Sequence, residues 1–182
     1  MSNVIELYTD GSCAPSNPGP GGIGYVIRYS ESDESNDVTM KEIEGSQGYR
    51  LSTNNRMEIR ATIQAIEDII LYLNGEKFKD LSQINIFTDS KYLCDAVNQK
   101  WIDRWKNNNW ITAYHTPVKN KDLWELLLKI FDKLSARNIN YQINHIPGHQ
   151  GHPYNERADQ LAAAATKETD KVIVDEGYER AN

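Results

Sequence analysis

The hydrophobic pattern of the chain changes its period near residue 53, and this change restricts the possible folds more than any other feature. Upstream, residues 4–9 (VIELYT), the stretch GIGYVIRY and residues 38–51 have the character of strands joined by short connections. Downstream, apolar residues recur at spacings of three and four on one helical face: Ile59, Ile63, Ile66, Ile70 and Leu73. The sequence therefore predicts an antiparallel opening of three strands, followed by a helix.

Helices and strands alternate through the rest of the chain. Thr53 or Asn54 can cap the first helix, and Gly75 can end it. The next predicted elements are a strand over 83–88, helical segments within 90–107, an amphipathic helix over 120–137, a strand over 138–146 and an Ala-rich helix over 153–166. A chain that begins with three strands and then alternates between helices and strands is typical of an α/β fold in which helices cover a mixed sheet.

Four acidic residues stand in distinctive contexts: Asp10 in YTDGS, Glu58 in TNNRMEI, Asp89 in IFTDS and Asp159 in NERADQLA. Asp10 and Asp89 end predicted buried strands, and in open sheets ligands collect beyond such strand ends. A buried carboxylate is costly without a cation, and converging carboxylate oxygens suit Mg²⁺ or Mn²⁺. Turn or cap chemistry explains each acid taken singly, but the four together predict a two-cation site.

The composition is that of one globular domain. The chain has 182 residues, with 39% hydrophobic and 25% charged residues, which is enough to bury a core without disulfide staples. No apolar run has the length of a membrane span, and the N-terminal residues lack a signal pattern. Cys13 and Cys94 form neither a disulfide framework nor a metal-binding spacing, so we expect a reduced, cytoplasmic setting.

The net charge of −6 is unevenly distributed. Residues 31–44 contain six acidic residues and one lysine, and residues 167–182 contain five acidic residues and three basic ones. Residues 100–121, by contrast, carry five basic residues against Asp103 alone. The acidic balance of the whole chain therefore does not exclude a nucleic-acid partner.

Six stretches occur in an order and at spacings that composition does not explain: TDGSCAPSNPGPGGIGYV, STNNRMEIRATIQAIE, IFTDSKYLCDAV, WIDRWKNNNWIT, PVKNKDLWELL and HIPGHQGHPYNERADQLAAAA. Through them, residues 4–166 resemble the type 1 ribonuclease H (ribonuclease HI) family. The resemblance implies a ribonuclease H-like mixed five-stranded sheet, with three antiparallel strands, then parallel strands, and helices on both faces. We expect residues 1–166 to form the catalytic domain and residues 167–182 to form a flexible C-terminal tail.

The resemblance also implies an activity. The protein would be an endonuclease that cuts the RNA strand of an RNA–DNA hybrid duplex, leaving 5′-phosphate and 3′-hydroxyl ends, and it would act as a monomer. Two Mg²⁺ ions, for which Mn²⁺ substitutes, would be bound by Asp10, Glu58, Asp89 and Asp159. In the family pattern Asp10 bridges both ions, Asp159 helps to hold the water-activating ion, and Glu58 and Asp89 hold the ion near the leaving group.

His149, in PGHQGHP, matches the catalytic histidine of the family. Gly148 and Gly151 give its loop conformational freedom, and an imidazole titrates near neutral pH. We therefore expect His149 to transfer a proton or to help the product leave. The remaining histidines are expected to be structural or incidental: His115, His145 and His152.

Substrate recognition is assigned to a different group of residues. Asn54 and Asn55 match the residues that read the minor groove, where the 2′-hydroxyl distinguishes RNA from DNA, although helix capping also explains them. The resemblance places further substrate contacts at Gly11, Ser12, Cys13, Asn17, Thr53 and Gln99. Cys13 is expected to be a small loop residue rather than a nucleophile.

Residues 100–121 resemble the basic protrusion that grips the DNA strand in this family, so Trp105 and Lys106 are expected to contact substrate. Helix packing is the alternative role for Trp105 and its neighbouring tryptophans. Asn107, Asn108 and Asn109 stand where strongly basic members carry Lys and Arg. Because Asn releases no counterion, the sequence predicts weaker hybrid binding with a shallower salt dependence.

Two other functions remain open from the sequence. The first is a catalytically silent module that binds hybrids, which the acidic quartet disfavours because carboxylates repel phosphate in the absence of metal. The second is another nuclease on the same fold, such as a resolvase or an integrase-like enzyme, which TNNRME and GHQGHP disfavour. Two segments have open roles as well. The acidic loop 31–37 is expected to extend a hairpin away from the anionic substrate, and a plain solvated turn is the alternative. The VIV of the tail could pack onto the body, add an edge strand or belong to a disordered tail.

Overall fold

The computed structural model describes residues 3–32, 35, 37–75, 77–148 and 151–180. The strands are β1 (Val4–Cys13), β2 (Gly19–Ser32), β3 (Val38–Ser52), β4 (Gln83–Thr88), β5 (Asn140–His145) and β6 (Val172–Ile173). The helices are α1 (Asn54–Asn74), α2 (Lys91–Asn98), α3 (Trp101–Asn107), α4 (Lys121–Ser135), α5 (Pro153–Ala165) and α6 (Glu176–Glu179). None of these helices combines the length and the apolar character that a membrane span requires.

One mixed sheet contains all the strands, in the order β5-β4-β1-β2-β3-β6. β1, β2 and β3 are antiparallel, and β4 and β5 continue the sheet in parallel from β1. This confirms the predicted mixed sheet, but the described residues form six strands rather than five. The additional strand, β6, pairs in parallel with Gly48 and Tyr49 of β3.

The first strand does not stop at residue 9, where its predicted pattern ends and the Asp-Gly pair that follows favours a turn. β1 continues through Cys13, and Asp10 lies within it, opposite Gly24 of β2. Gly11, Ser12 and Cys13 each find a pairing partner in β2, so their backbone groups are satisfied without a turn. The long-range pairing therefore overrides the local turn tendency, and Asp10 is held by a paired strand.

Helix α1 follows the prediction closely. Thr53 is its N-cap and accepts a hydrogen bond from the Arg56 N–H at 3.4 Å, and Gly75 is its C-cap. Its apolar stripe is buried in the main core, which also contains Ile5, Leu7 and Ile84 from the sheet. The sheet thus fixes the axis of α1, whose first turn lies beside Gly11 of β1.

The helices cover both faces of the sheet, as the sequence predicts. On the α1 side, α4 buries its predicted stripe in the same core: Leu123, Leu127, Ile130 and Leu134. On the other side, Ala158 of α5 packs in a separate cluster with Tyr8 and Val26. α5 lies very close to β2, because a Cβ at Gly22 or Gly24 would overlap its backbone.

The C-terminal tail returns to the sheet and forms β6 and α6. Of the sequence alternatives for its apolar residues, the structure has the edge strand, formed by Val172 and Ile173. Gln47 adds a side-chain hydrogen bond of 2.6 Å to the Lys171 carbonyl oxygen. The division into a catalytic domain, 1–166, and a flexible tail, 167–182, stays a prediction about motion. In the structure, β6 and α6 lie against β3 and the start of α1.

Candidate active site

The register of the parallel strands brings two of the four acids together. Tyr8 of β1 pairs with Phe87 of β4, which is the last pair between these strands. Asp10 and Asp89 each follow two residues later and therefore emerge at the same edge of the sheet. Their approach was predictable from the two strand assignments, because the carboxyl ends of parallel strands share one edge.

Glu58 joins them because α1 lies directly on β1 at Gly11. A Cβ at Gly11 would overlap Met57 C and Glu58 N, and it would come within 2.8 Å of Glu58 Cα. Only glycine permits this approach of helix backbone to strand backbone. The residue after Asp10 therefore determines how near Glu58 can come to it.

Asp10, Glu58 and Asp89 form a compact group in which one carboxylate oxygen from each lies within 4.8 Å of the others. Asp10 is only 5% exposed, and its Oδ1 accepts a hydrogen bond of 2.9 Å from the Gly11 N–H. Burial, followed by repulsion from Asp89 and Asp159, raises the pKa of Asp10 to about 8. Burial also raises the pKa of Glu58 well above its usual value, and repulsion from Asp10 and Asp89 adds to this effect.

Asp159 approaches from the opposite face, on α5. The contact of α5 with Gly22 and Gly24 places this helix beside Asp10, the residue paired with Gly24. Repulsion and a side-chain hydrogen bond from Asp159 both contribute to the raised pKa of Asp10. The structure thus brings all four predicted acids to one place, with Asp10 in the middle.

This donor set suits a divalent cation. Glu58 Oε2 is buried and has no hydrogen-bond partner within the described part of the chain. A buried carboxylate oxygen without a partner is strongly disfavoured unless a cation or a proton satisfies it. Carboxylate oxygens are among the hard oxygen ligands that Mg²⁺ and Mn²⁺ prefer, and this donor set contains no nitrogen or sulfur ligand. The residues present therefore fit the predicted metal site.

The predicted catalytic histidine, His149, lies outside the described residues. The segment that leads to it passes Asp89, because a Cβ at Gly148 would lie 2.6 Å from Asp89 Oδ2. His145, expected to be incidental, places its Nε2 3.2 Å from the Asp89 carbonyl oxygen. His152 occupies the N-cap position of α5, with its ring 5.1 Å from that of Tyr8.

Most of the predicted substrate residues gather at the start of α1. A cavity of about 890 Å³ is lined there by Asn17, Thr53, Asn54 and Asn55, together with residues of the α4 start and of the tail. The Asn54 side-chain oxygen accepts a hydrogen bond of 2.7 Å from the Cys13 N–H. The Asn54 N–H in turn donates to Asn17 Oδ1 at 3.1 Å. β1 and the following loop therefore hold this turn in place, and Gly11 and Ser12 continue the same strand toward the acids.

The other three predicted substrate residues lie elsewhere. Gln99 is the C-cap of α2, and its side-chain oxygen accepts a hydrogen bond of 3.2 Å from Trp101 Nε1. Trp105 lies beside Trp124, with ring centroids 5.9 Å apart, so it packs the base of the protrusion. Lys106 is exposed on α3. The structure does not bring these three residues into the cavity at the start of α1.

Arg56 is the residue that the sequence interpretation missed. Its side chain is 3% exposed and lies between Asp122 of α4 and Asp175 of the tail, with hydrogen bonds to both. An arginine in the middle of TNNRME could have raised the question of a buried partner. The identity of that partner depends on contacts across 66 and 119 residues of chain, which no local pattern specifies.

Comparison with known proteins agrees with this architecture. Residues 2–167 match the family described as RNase H. Ribonuclease H of Desulforamulus reducens is 41% identical over 164 residues, which cover 90% of this chain and 88% of that protein. Ribonuclease HI of Pasteurella multocida is 39% identical over 179 residues, which cover 98% of this chain and 99% of that protein.

Solved structures agree as well. LC9-RNase H1, a type 1 RNase H with the type 2 active-site motif, is similar with a TM-score of 0.71 at 25% identity, covering 100% of this chain and 81% of that chain. LC11-RNase H1, in a complex with RNA/DNA hybrid, is similar with a TM-score of 0.56 at 28% identity, covering 88% of this chain and 98% of that chain. These findings confirm the resemblance drawn from the six sequence stretches. The chain belongs to the type 1 ribonuclease H family.

Proposed function

We propose that this ribonuclease H hydrolyses the RNA strand of RNA–DNA hybrids with two divalent metal ions, leaving 5′-phosphate and 3′-hydroxyl ends. The ions would be Mg²⁺, with Mn²⁺ as a substitute, held by Asp10, Glu58, Asp89 and Asp159. When bound, they supply Lewis-acid stabilisation of the charge on the attacking and leaving oxygens. We further propose that the protein acts as a cytoplasmic monomer.

The observation that carries this proposal is the compact carboxylate group. Three carboxylates whose oxygens lie within 4.8 Å of one another, with Asp159 beside Asp10, concentrate negative charge in a partly buried place. Such a group has no packing function, and without cations it repels phosphate. Bound divalent cations would offset this negative charge and allow the carboxylates to support phosphodiester cleavage.

The surrounding residues would position the substrate. The cavity at the start of α1 is lined by the amides of Asn54 and Asn55 and also by Lys119 and Lys121. Amide side chains can both donate to and accept from a 2′-hydroxyl, and lysines neutralise phosphates. Asn55 precedes Glu58 by three residues, so a residue that would read the groove and a residue that would hold the metal lie within one helical turn.

His149 is proposed to move a proton at the scissile phosphate or to assist product release, on the strength of its motif. Gly148, the residue before it, lies against Asp89, which places the described end of this loop beside the acids. The contact of His145 Nε2 with the Asp89 carbonyl oxygen would help to fix the Asp89 backbone. These two contacts give the loop a defined starting point next to the reaction.

The geometry disfavours a silent hybrid-binding module. Such a module would bind phosphate more tightly with a neutral or basic site, whereas here four carboxylates meet near the cavity at the start of α1. A different nuclease on the same fold would share the acids but would not need the asparagine-lined cavity that reads an RNA strand. The cavity and the acids together therefore favour hybrid-specific cleavage.

A substrate panel tests this function directly. Labelled RNA–DNA hybrid, double-stranded RNA and double-stranded DNA of one sequence are incubated with the protein and Mg²⁺. We expect cleavage of the RNA strand of the hybrid alone, with 5′-phosphate and 3′-hydroxyl ends, and no cleavage after chelation of the metal. Cleavage of double-stranded DNA would contradict the assignment, and hybrid binding without cleavage would point to the silent module.

The salt dependence of hybrid binding is expected to be shallow. Lys106 is followed by the exposed residues Asn107, Asn108 and Asn109, which release no counterions. Asn107→Lys should therefore increase the magnitude of the slope of log K against log salt by about 0.9, the value for one additional neutralised phosphate on a duplex. Fluorescence anisotropy across a salt series measures this slope.

The matched control for that measurement is Asn140→Lys. Asn140 is exposed at the start of β5, at the opposite end of the strand from the acids. This variant adds the same charge away from the proposed substrate path, so its slope should equal that of the wild type. Equal slopes for Asn107→Lys and the wild type would show that this protrusion does not contact phosphate.

A further inference from the structure

The C-terminal tail is fastened beside the start of α1. β6 pairs with Gly48 and Tyr49 of β3, shortly before the chain enters α1. Two residues after β6, Asp175 is completely buried, and Ser52 Oγ donates to its Oδ2 at 2.6 Å. A carboxylate is buried to this degree only where it is paired and hydrogen-bonded, so its partners identify its role.

The main partner of Asp175 is Arg56, in the first turn of α1. Arg56 Nε and Nη2 donate to the two carboxylate oxygens of Asp175 at 2.6 and 2.7 Å. On its other side, Arg56 Nη1 and Nη2 donate to the two oxygens of Asp122 at 2.9 and 2.6 Å. One planar guanidinium thus joins the tail, α1 and α4 with two-point contacts that restrict its orientation.

The tail also forms part of the cavity wall. Gly177 and Tyr178 line the same cavity as Asn54 and Asn55. A Cβ at Gly177 would overlap Asp122 Oδ2 and come within 2.8 Å of Arg56 Nη2. The tail backbone therefore packs directly against the ion pairs of Arg56, and any enlargement there displaces a charged partner.

We propose that residues 172–180 are a positioning element for substrate reading, with Asp175 and Gly177 acting through Arg56 on the turn that carries Asn54 and Asn55. This inference rests on the proposed function, in which that turn contacts the hybrid. Asp175 touches neither substrate nor the acids, so it is a positioning residue rather than a catalytic one. The position of Glu58 is fixed separately by its contact with Gly11. The tail therefore affects hybrid binding more than the chemical step.

The test compares hybrid cleavage by the wild type, Asp175→Asn and Gly177→Ala at a temperature where circular dichroism shows all of them folded. We expect KM to rise about tenfold in both variants, with kcat within about twofold of the wild type, which is the pattern of lost uniform binding. Ser52→Ala, which removes one hydrogen bond to Asp175, should cause a smaller rise in KM and provides a milder variant.

Leu134→Ala is the matched control for stability. Leu134 is completely buried near the end of α4, twelve residues from Asp122, so its truncation lowers the melting temperature without touching the tail. Its KM should equal that of the wild type at the test temperature. An increase in KM in the two tail variants but not in Leu134→Ala supports the positioning role, because general destabilisation does not produce it.

Two outcomes would overturn the inference in distinguishable ways. An unchanged KM in Asp175→Asn and Gly177→Ala, while the wild type cleaves hybrid, would reduce the tail to a stabilising clamp and leave the proposed function intact. A wild-type protein that leaves the hybrid uncut would overturn the proposed function, and this inference with it. Hybrid affinity measured in an Asp10→Asn background gives the same comparison without cleavage, and there the tail variants should bind about tenfold more weakly.

Discussion

Replacing Asp10 with Asn is expected to reduce hybrid cleavage by about 10³-fold or more, because several kcal/mol of charge stabilisation are lost when a central metal ligand is removed. Asp10 lies at the centre of the acidic group, near Glu58, Asp89 and Asp159. Hybrid binding should be retained, since the substitution removes a negative charge rather than a substrate contact. Single-turnover cleavage and anisotropy measure the two properties separately.

The control for this substitution is Asp80→Asn, which makes the same chemical change at an exposed position ahead of β4, away from the acids. Its cleavage rate should equal that of the wild type. Full activity in Asp10→Asn would contradict the proposed metal site, and a parallel loss of hybrid binding would show that Asp10 acts in substrate contact instead.

Asp10→Asn should also change the pH dependence of the free energy of unfolding in metal-free buffer. The folded-state pKa of Asp10 is raised to about 8, so the folded state binds this proton more tightly than the unfolded state does. The stability that this proton contributes is therefore fully present below the unfolded-state pKa near 4 and is lost as the pH rises toward 8. The metal-free wild type should therefore lose stability over that window, by roughly 1.4 kcal/mol for each unit of pKa shift. Urea unfolding should find Asp10→Asn more stable than the metal-free wild type at pH 8–9. Added Mg²⁺ should stabilise the wild type more than the variant.

Replacing Gly11 with Ala should affect both folding and catalysis. The new Cβ would overlap Met57 C and Glu58 N, which are backbone atoms, so the first turn of α1 must move. Overpacking of this kind costs about 1–3 kcal/mol. A displacement of Glu58 by about 1 Å can also cost on the order of 10²-fold in rate. Urea unfolding in chelator and single-turnover cleavage in Mg²⁺ measure the two effects.

Gly75→Ala is the matched control, at the opposite end of the same helix. Its nearest neighbour would lie 3.5 Å from the added Cβ, which is ordinary contact, and its φ of −88° is accessible to alanine. Both activity and stability should therefore remain near those of the wild type. If Gly11→Ala behaved like Gly75→Ala, the close packing of α1 on β1 would not determine the position of Glu58.

The sequence predicts the elements that depend on local pattern. The apolar stripe from Ile59 to Ile70 sets the buried face of α1, and Thr53 and Gly75 set its ends. β4 occupies the predicted residues 83–88, and Lys100, with a φ of 56°, divides the predicted helical segment 90–107 into α2 and α3. Hydrophobic period and cap chemistry are properties of neighbouring residues, so one sequence is enough to identify them.

What the sequence does not predict depends on contacts between distant segments. Asp10 and Gly11 form a turn by local preference, yet strand pairing with β2 extends them instead. β6 has only two paired residues, and the sequence leaves the edge strand as one of several alternatives, because neither its partner β3 nor the burial of Asp175 is visible in a local pattern. The four acids were identifiable from their contexts, whereas the positions of Glu58 and Asp159 beside Asp10 depend on where α1 and α5 contact glycine-bearing strands.

The packing of α5 on Gly22 and Gly24 has a consequence for the order of assembly. Synthesis delivers Asp10, Glu58 and Asp89 within the first half of the chain, but Asp159 comes only with α5, near its end. Until α5 emerges from the ribosome, the glycine-rich strip of β2 lacks its cover and the acidic group lacks its fourth member. We therefore expect a chain truncated before α5 not to cut hybrids, because Asp159 and the packing of α5 on the β2 glycines would both be missing. Contacts between distant segments of this kind also slow folding.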